Sequence, residues 1–273
     1  MELRGAIVVV TGAARGIGKS IAAEFAAAGS RVVIVDAVTD VLEKTAAELK
    51  KSGSSTMALT ADISDRASVE SMAKEVLDTF GRVDVLVNNA GTFSVVGPTW
   101  EVDPERWFRD IRVNLYGTFL VCRTFLKSMT SEKSGYVINM ASSGGVIEPH
   151  PYATSYASSK TGIVRFTESL AIELESYNIK TFVIGPPAIM TDMTQFLLEN
   201  SEAKKWRPGL KGIFDRGEDF PPELVSRLVV QLVSGTADRL SGRYFLATDN
   251  LDEIIANTDK ILADDLMLLR IRR

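Results

Sequence analysis

The sequence predicts an α/β fold: a single doubly wound domain in which a parallel sheet of about seven strands is covered by helices on both faces. Two observations carry this prediction. Seven short runs rich in Val and Ile recur along the chain without the polar alternation of a strand that has one wet face, so we expect them to be buried on both sides. The segments between these runs have helical length and period. With 45% hydrophobic residues, the 273-residue chain can bury one large core.

The predicted elements alternate in order along the chain. Helices are expected between the strands, the first opening at about Ile17, and Gly29, Gly53 and Gly81 each follow a helical run where a left-handed residue commonly ends a helix. The strands are predicted at residues 6 to 10, 31 to 36, 57 to 61, 83 to 90, 135 to 141, 180 to 185 and 243 to 247. Residues 1 to 250 then form the domain, and 251 to 273 form an appended amphipathic helix.

Composition excludes several classes of function. The chain has one cysteine, Cys122, and one histidine, His150, which cannot supply a Cys/His metal cluster and make a Ser-His-Asp site improbable. A net charge of −4 offers no broad positive field for nucleic acid. The apolar run near the N-terminus is too short for a signal or a membrane span. We therefore expect a cytoplasmic protein with no metal, no nucleic-acid partner and no membrane partner.

A glycine-rich turn directly follows the first predicted strand. It reads TGAARGIG over residues 11 to 18, with Gly12, Gly16 and Gly18 in the spacing G-x-x-x-G-x-G. Glycines let the backbone approach a pyrophosphate closely, and the helix N-terminus that follows offers free N–H groups and a positive dipole end. The turn therefore predicts a dinucleotide site.

Acidic residues at the ends of the next two strands bear on the choice of dinucleotide. Asp36 lies twenty residues after Gly16, where a carboxylate can accept hydrogen bonds from an adenosine ribose and repels the 2′-phosphate of NADP. NAD is thus favoured, although Arg15 in the glycine turn offers a charge that could pair with that phosphate. Asp62 suits either the adenine amino group or the N-cap of the following helix.

Candidate reactive groups lie in and before the motif YASSK. Tyr156 and Lys160 stand four residues apart at the head of a long helical segment, so both side chains project from one face. A nearby ammonium favours the phenolate, and we expect the tyrosine pKa to fall towards neutrality, where a general acid–base is most effective. Ser143, thirteen residues earlier, ends a predicted strand at the edge where doubly wound sheets bind ligands. Ser142 is a neighbouring candidate, and spacing favours Ser143.

Taken in order over about 250 residues, these motifs resemble the classical short-chain dehydrogenase/reductase family. The set comprises TGAARGIG, Asp62, NNAG at 88 to 91, Asn114 in VNLYG, Ser143 and YASSK. The resemblance implies a Rossmann-like domain that transfers a hydride between NAD(H) and a secondary alcohol or ketone. The cofactor contacts that it implies are Gly12, Arg15, Gly16, Ile17, Gly18, Asp36, Asp62, Ile63, Asn89, Ala90, Gly91, Tyr156, Lys160, Pro186, Ile189 and Thr191.

The same resemblance implies a role for each candidate catalytic residue. Tyr156 exchanges the proton with the substrate oxygen. Lys160 lowers the pKa of Tyr156 and holds the nicotinamide ribose. Ser143 orients the carbonyl or hydroxyl, and Asn114 positions a water that links Lys160 to solvent.

The sequence after the sixth predicted strand departs from the family pattern in part. Pro186-Pro187 replaces the usual Pro-Gly, while Ile189 and Thr191 keep the positions that bind the carboxamide and the pyrophosphate. Residues 188 to 222 look like the family's mobile substrate lid, and their apolar side chains indicate a carbon-rich or cyclic substrate, with ordinary helix packing as the alternative. These side chains are Met190, Met193, Phe196, Leu197, Trp206, Phe214 and Phe220. His150 and Tyr152 either rim the pocket or lie on a loop surface.

The resemblance also implies a homo-oligomer and leaves two alternative functions open. Family members usually pack two long helices, here about 104 to 130 and 154 to 177, against a neighbour, which favours a homotetramer. One alternative function is a non-catalytic dinucleotide-binding regulatory protein, which has no need of a perturbed tyrosine. The other is an NADPH-dependent 3-oxoacyl carrier-protein reductase, which Arg15 favours and Asp36 opposes.

Overall fold

The seven predicted strands all form, and they build one sheet in the computed structural model, which describes residues 1–144 and 146–271. The strand order is β3-β2-β1-β4-β5-β6-β7, and each neighbouring pair is parallel. Strand ends differ from the predicted ones by at most two residues. The strands are β1 Ile7–Thr11, β2 Arg31–Asp36, β3 Ser55–Thr60, β4 Val85–Asn88, β5 Gly135–Met140, β6 Ile179–Gly185 and β7 Tyr244–Leu246.

Helices cover both faces of the sheet, as predicted. The α-helices are α1 Gly16–Ala27, α2 Thr39–Lys51, α3 Arg66–Phe80, α4 Pro104–Ile111, α5 Thr118–Glu132, α6 Thr154–Leu174, α7 Asp192–Glu199, α8 Ser201–Trp206, α9 Gly209–Asp215, α10 Glu223–Leu232, α11 Leu251–Ala256 and α12 Thr258–Ala263. Helices α1, α2 and α10 share one apolar cluster with alternate strand residues such as Val8 and Val10. Helices α3, α5 and α6 share the other cluster with Ile7 and Val9. Because side chains alternate across a strand, runs such as IVVVT supply both cores at once.

The strand order reverses between β1 and β4, and this point locates the site. Crossovers from the two strands leave in opposite directions, which opens a crevice at their carboxyl ends. The glycine turn follows β1 there, and the NNAG segment follows β4.

The two long helical stretches that the sequence predicts are also present. The first runs from Pro104 to Glu132 and contains a π-helical turn, Arg112–Gly117, between α4 and α5. The second is α6, extended by the 3₁₀ turn Glu175–Tyr177. Single π turns inside longer helices occur often at functional sites, and this one contains Asn114.

The C-terminal segment differs from the single helix predicted for it. It forms two short helices, α11 and α12, which meet at Asn257, and the chain then folds back along the sheet with Met267 accepting a hydrogen bond from the Tyr244 N–H. Asp265 and Met267 have φ values of 53° and 60°, which a helix cannot continue through. Residues 272 and 273 of the predicted helix lie outside the described residues. Across the described ranges, no helix combines the length and apolar character needed to cross a membrane.

Candidate active site

A cavity of about 1200 Å³ opens at the carboxyl edge of the sheet. It is lined by the glycine turn, the ends of β2, β4 and β5, the head of α6 and the segment after β6. Most predicted site residues lie on its wall, and two do not: Gly18 and Asn114 are set back from it. Those on the wall are Gly12, Arg15, Gly16, Ile17, Asp36, Asp62, Ile63, Asn89, Ala90, Gly91, Ser143, Tyr156, Lys160, Pro186, Ile189 and Thr191.

Close backbone contacts hold the glycine turn. Gly12 and Gly16 have φ values of +63° and +55°, in the left-handed region that favours glycine. A Cβ on Gly18 would lie 2.2 Å from the Gly12 carbonyl oxygen, so this glycine lets α1 pack directly on the turn. Asn89 donates its side-chain amide to the carbonyls of Thr11 and Gly12, both at 3.0 Å. Gly18 therefore allows helix α1 to pack on the turn, and Asn89 holds the backbone of the turn through hydrogen bonds.

The N-terminus of α1 faces the cavity without a side-chain cap. Arg15 occupies the N-cap position with extended backbone, makes no capping hydrogen bond, and no acidic residue stands in the first turn. Helix α1 thus presents unpaired N–H groups and its positive dipole end beside Gly16 and Ile17 on the cavity wall. Thr191, which caps α7, lies on the other side of Gly16, where a Cβ would be 3.4 Å from its Cγ2. Together these groups form a cradle suited to a pyrophosphate.

The acidic residues at the strand ends are held by backbone and hydroxyl donors. Asp36 accepts from the Ala14 N–H at 3.2 Å and from the Val38 N–H at 3.1 Å, which places its carboxylate beside the glycine turn. Asp62 accepts from the Ser64 N–H and Oγ, both at 2.8 Å. The N-cap of α3 is Asp65, so the capping alternative for Asp62 is wrong.

Arg15 lines the cavity, and its side chain extends from the turn to helix α7. Its guanidinium pairs with the carboxylate of Asp192 in the first turn of α7. Both side chains are about half exposed or more, so the pair contributes little to stability. In this structure the pair directs the Arg15 guanidinium towards the segment after β6.

Tyr156 and Lys160 enter the cavity from one face of α6, as their spacing predicts. The Tyr156 ring stacks on Phe93, with centroids 4.4 Å apart and planes inclined by 10°. Lys160 Nζ lies 5.7 Å from the centroid of the Tyr156 ring and donates to the Met140 carbonyl at 2.9 Å. Lys160 is 4% exposed, and this burial lowers its pKa to about 8.

The pKa of Tyr156 differs from the sequence-based expectation. Burial disfavours the charged phenolate and raises the pKa, and the nearby carboxylate of Asp110 acts in the same direction. A hydrogen bond with Ser142 and the positive charge of Arg207 oppose that rise without overcoming it. The expected fall towards neutrality is therefore wrong for this structure, because the effect of burial is the largest.

The two serines after β5 have different partners. Ser142 is near enough to the Tyr156 phenol to lower its pKa, whereas Ser143 donates its hydroxyl to the Pro186 carbonyl at 3.1 Å. Tyr244 from β7 donates its hydroxyl to the Ser142 carbonyl at 3.0 Å. Gly185 makes room for that ring, since a Cβ there would lie 1.8 Å from the Tyr244 hydroxyl. Both serines line the cavity.

Asn114 links the segment after β4 to helix α6. Its side-chain oxygen accepts from the Thr92 N–H at 2.7 Å, and its amide donates to the Thr92 carbonyl and to Ser159 Oγ, both at 2.9 Å. Gly91 lies between Asn114 and Lys160, because a Cβ there would be 3.1 Å from Asn114 Oδ1 and 3.3 Å from Lys160 Nζ. Asn114 thus lies on the far side of Gly91 from Lys160 and does not line the cavity.

A family model described as short chain dehydrogenase matches residues 6–202. This chain belongs to the short chain dehydrogenase family. It is 31% identical over 241 residues to D-threitol dehydrogenase of Mycolicibacterium smegmatis, covering 88% of this chain and 90% of that one. It is 32% identical over 236 residues to an NAD-dependent glycerol dehydrogenase of Listeria innocua, covering 86% and 89%.

A solved structure extends the similarity to the fold. The crystal structure of a variant actinorhodin polyketide ketoreductase with NADPH superposes with a TM-score of 0.82 at 30% identity, covering 89% of this chain and 95% of that chain. This short chain dehydrogenase is therefore an oxidoreductase that acts on CH–OH groups or the corresponding ketones and binds a nicotinamide dinucleotide.

The segment after β6 is part cavity wall and part ordinary packing. Met193, Phe196, Leu197 and Phe214 line the cavity of the dehydrogenase. Trp206 instead packs against Tyr152, with ring centroids 4.7 Å apart and planes inclined by 34°. Met190 and Phe220 are exposed and lie off the wall. His150 is on the wall, whereas Tyr152 packs against apolar residues of this segment that include Trp206.

Sequence reasoning did not identify Phe93, Arg207 and Tyr244 as site residues. Phe93 follows NNAG by two positions, and that proximity to a cofactor motif was a usable signal. Arg207 lies in a segment singled out for its apolar residues, and Tyr244 lies in a strand counted as core. No local pattern connects the last two with Tyr156, because only the fold brings them there.

Proposed function

We propose that this short chain dehydrogenase transfers a hydride between NAD(H) and a secondary alcohol or its ketone, with Tyr156 as the general acid–base. The observation that carries the proposal is the placement of Tyr156 on the cavity wall, beside Ser142 and one helical turn from Lys160. A binding-only protein would gain nothing from burying a phenol and an ammonium together beside a dinucleotide cradle, since burial of each costs free energy.

The cavity fits a nicotinamide dinucleotide on two grounds. The uncapped N-terminus of α1 supplies unpaired donors, and Gly12 leaves no room for a side chain, because a Cβ there would be 2.7 Å from the Ala90 Cα. The residues that would hold the dinucleotide are Gly12, Gly16, Ile17, Asp36, Asp62, Ile63, Ala90, Gly91, Lys160, Pro186, Ile189 and Thr191. When bound, the nicotinamide supplies the carbon that takes or gives the hydride.

NAD is the proposed dinucleotide because of how the charges beside the turn are arranged. The Asp36 carboxylate lines the cavity and is followed by Ala37, which offers no cation. The cation in the turn, Arg15, is paired with Asp192. A 2′-phosphate would therefore meet a carboxylate and lack a free partner.

We expect NADH to bind at least about tenfold tighter than NADPH, and Asp36→Ala to narrow that ratio. Equal affinities in the wild type would contradict the NAD preference.

The proposed chemistry assigns one task to each side chain. During oxidation the proton of the substrate hydroxyl passes to Tyr156 Oη, and during reduction it returns from Tyr156 to the carbonyl oxygen. Ser142 or Ser143 donates a hydrogen bond to that oxygen. Lys160 holds the ribose and, with a pKa near 8, can exchange a proton at neutral pH. Asn114 keeps Lys160 in place through Gly91 and supports the route to solvent.

Replacement of Tyr156 by Phe tests the proposal. It deletes one hydroxyl and preserves the stacking on Phe93, so we expect turnover to fall by about 10³-fold or more while NADH affinity and Tm stay near wild type. Tyr152→Phe is the matched control and should keep its activity, because the Tyr152 ring packs on Trp206 off the cavity wall. Turnover is measured by steady-state kinetics with a panel of sugars, steroids, terpene alcohols and acyl ketones. Cofactor affinity is measured by NADH titration. Undiminished turnover in Tyr156→Phe would exclude the proposed acid–base.

The proposal includes a homotetrameric assembly in the cytoplasm. Exposed Tyr116 and Phe119 and partly buried Phe166, all on the two long helices, form one contiguous aromatic cluster that a neighbour could cover. The single thiol of Cys122 is buried, and burial raises its pKa to about 12, which suits a reduced compartment. Light scattering tests the assembly, and cell fractionation tests the location.

A further inference from the structure

A partly buried arginine faces the reactive tyrosine from the lid. Arg207 follows α8 and lines the cavity, with its Cζ 5.5 Å from the centroid of the Phe93 ring. Phe93 in turn stacks on Tyr156, so the same ring contacts both the guanidinium and the tyrosine. Its charge is close enough to act on the pKa of Tyr156, and burial lowers the pKa of Arg207 itself.

Arg207 has no anionic partner among residues 1–144 and 146–271. None of the ion pairs and side-chain hydrogen bonds of that part of the chain includes its guanidinium, although Arg15, Arg66 and Arg216 each pair with a carboxylate. The buried carboxylate of Asp110 is already satisfied by the Ser94 N–H, Ser94 Oγ and Ser155 Oγ. An unpaired cation in a partly desolvated site costs free energy, which a bound anion would recover.

A second unpartnered polar group lies beside Arg207. His150 lines the cavity, and its buried Nε2 has no hydrogen-bond partner. The ring packs closely on Gly144, where a Cβ would lie 2.4 Å from His150 Cε1. Burial and the Arg207 charge lower the pKa of His150 to about 4, so the imidazole is neutral at pH 7 and Nε2 can donate or accept one hydrogen bond.

We propose that Arg207 and His150 form a subsite for a carboxylate carried by the substrate, so that the dehydrogenase acts on hydroxy acids or oxo acids. The proposal rests on the oxidoreductase function above. One guanidinium and one neutral imidazole match a single negative charge, whereas a phosphate dianion would bring two charges to one cation. Phe93, Leu197 and Leu210 line the same part of the wall and suit the carbon skeleton of such an acid.

The binding arm of the test is independent of turnover. Calorimetry with benzoate and with benzamide compares ligands of one shape that differ in charge, first on the NADH-loaded protein and then without NADH. We expect the wild type to prefer benzoate by about tenfold or more and Arg207→Gln to lose that preference. Lys204→Gln removes the same charge from an exposed position three residues earlier and should keep it. Equal binding of the two ligands by the wild type, no detectable benzoate binding, or a preference that survives Arg207→Gln overturns the subsite.

The kinetic arm compares hydroxy acids with their methyl esters, for example mandelate and 3-hydroxybutyrate. We expect Arg207→Gln to raise KM for the acids at least about tenfold while leaving the esters near their wild-type values. If Arg207 only tunes Tyr156, acids and esters lose kcat together and the pH profile shifts, which overturns the subsite. Turnover of esters without preference for acids also overturns it but leaves the oxidoreductase proposal standing. The two proposals can also fail separately. If Arg207→Gln loses the benzoate preference but the wild type turns over no alcohol, the subsite is supported and the proposed function is contradicted.

Discussion

At the residue scale, adjacent serines after β5 present different hydroxyls to the cavity. Ser142 acts on the pKa of the Tyr156 phenol and its carbonyl accepts a hydrogen bond from Tyr244, whereas the Ser143 hydroxyl donates to the Pro186 carbonyl. Sequence spacing favours Ser143 as the substrate-orienting residue. The structure favours Ser142, because its hydroxyl acts on the pKa of the phenol while the Ser143 hydroxyl is engaged by the Pro186 carbonyl.

The serine pair yields a matched prediction. Ser142→Ala should lower kcat/KM by about 10²-fold, and Ser143→Ala by about tenfold or less, since the latter mainly loosens the loop at Pro186. NADH affinity should stay near wild type in both variants, because neither hydroxyl lies in the pyrophosphate cradle. Steady-state kinetics and NADH titration decide the order. A larger loss of kcat/KM in Ser143→Ala than in Ser142→Ala would assign the substrate-orienting role to Ser143.

Lys160 gives a prediction about stability. Burial lowers its pKa to about 8 from an unfolded value near 10.5, so between these pH values the unfolded chain binds more protons and stability rises with pH. Below pH 8 the buried charge costs up to about 3 kcal/mol, offset in part by its hydrogen bond to Met140. Lys160→Met should therefore stabilise the fold by about 2 kcal/mol at pH 7 and abolish turnover.

Urea unfolding at pH 7 and pH 10 measures the Lys160→Met effect. The stabilisation should shrink at the higher pH, because the wild-type lysine is then largely neutral in the folded state. Lys50→Met serves as the control, since Lys50 is exposed near the end of α2 and should show no such pH-dependent gain. Destabilisation by Lys160→Met at both pH values would mean that its hydrogen bond outweighs the burial cost.

At the element scale, the contact between α1 and the glycine turn determines how close the backbone comes to a dinucleotide. Gly18 permits that contact, because its α-carbon lies directly over the Gly12 carbonyl. The turn is also tied to β4 by the Asn89 amide. A small displacement of α1 would therefore move both the N–H donors and the turn itself.

Gly18→Ala tests this packing. The added Cβ would lie 2.2 Å from a backbone oxygen, so α1 must shift, and we expect a loss of about 2 kcal/mol in unfolding free energy and weaker NADH binding. Gly209→Ala is the control: it also lies in a helix, has nothing within 4 Å of its Cβ, and should be neutral or slightly stabilising. Chemical denaturation and NADH titration measure both effects. Wild-type affinity in Gly18→Ala would show that the cradle tolerates the shift.

At the scale of the whole molecule, the long helices carry an aromatic cluster that the monomer leaves partly exposed. Tyr116 and Phe119 are 42% and 40% exposed, and the Phe119 ring meets Phe166 of α6 edge-on at 6.5 Å. Such a face on two adjacent helices suits a symmetric interface in which each copy covers the other.

Phe119→Glu should disrupt the proposed assembly. A carboxylate on this face would be desolvated at a two-fold contact, so we expect a lower mass by light scattering at micromolar concentration. Trp100→Glu is the control, because Trp100 is 82% exposed but lies outside both long helices. A monomeric wild type would contradict the assembly outright, and an unchanged mass in Phe119→Glu would place the interface elsewhere.

The sequence by itself determined the strands, most helices, the glycine turn and the pairing of Tyr156 with Lys160. Each of these depends on residues within one element or its neighbour: the Val/Ile runs bury a strand on both faces, and a spacing of four puts two side chains on one helix face. The chain's place among the short chain dehydrogenases follows from the order of such local motifs.

Only the tertiary structure decided what surrounds the phenol. The pKa of Tyr156 depends on burial and on Ser142, Arg207 and Asp110, which come from three separate parts of the chain. The break of the C-terminal helix, the position of Gly18 behind the turn and the unpaired charge of Arg207 are likewise invisible to local pattern. The physical reason is that desolvation and Coulomb interactions depend on distances through space, and those distances exist only once the elements have packed.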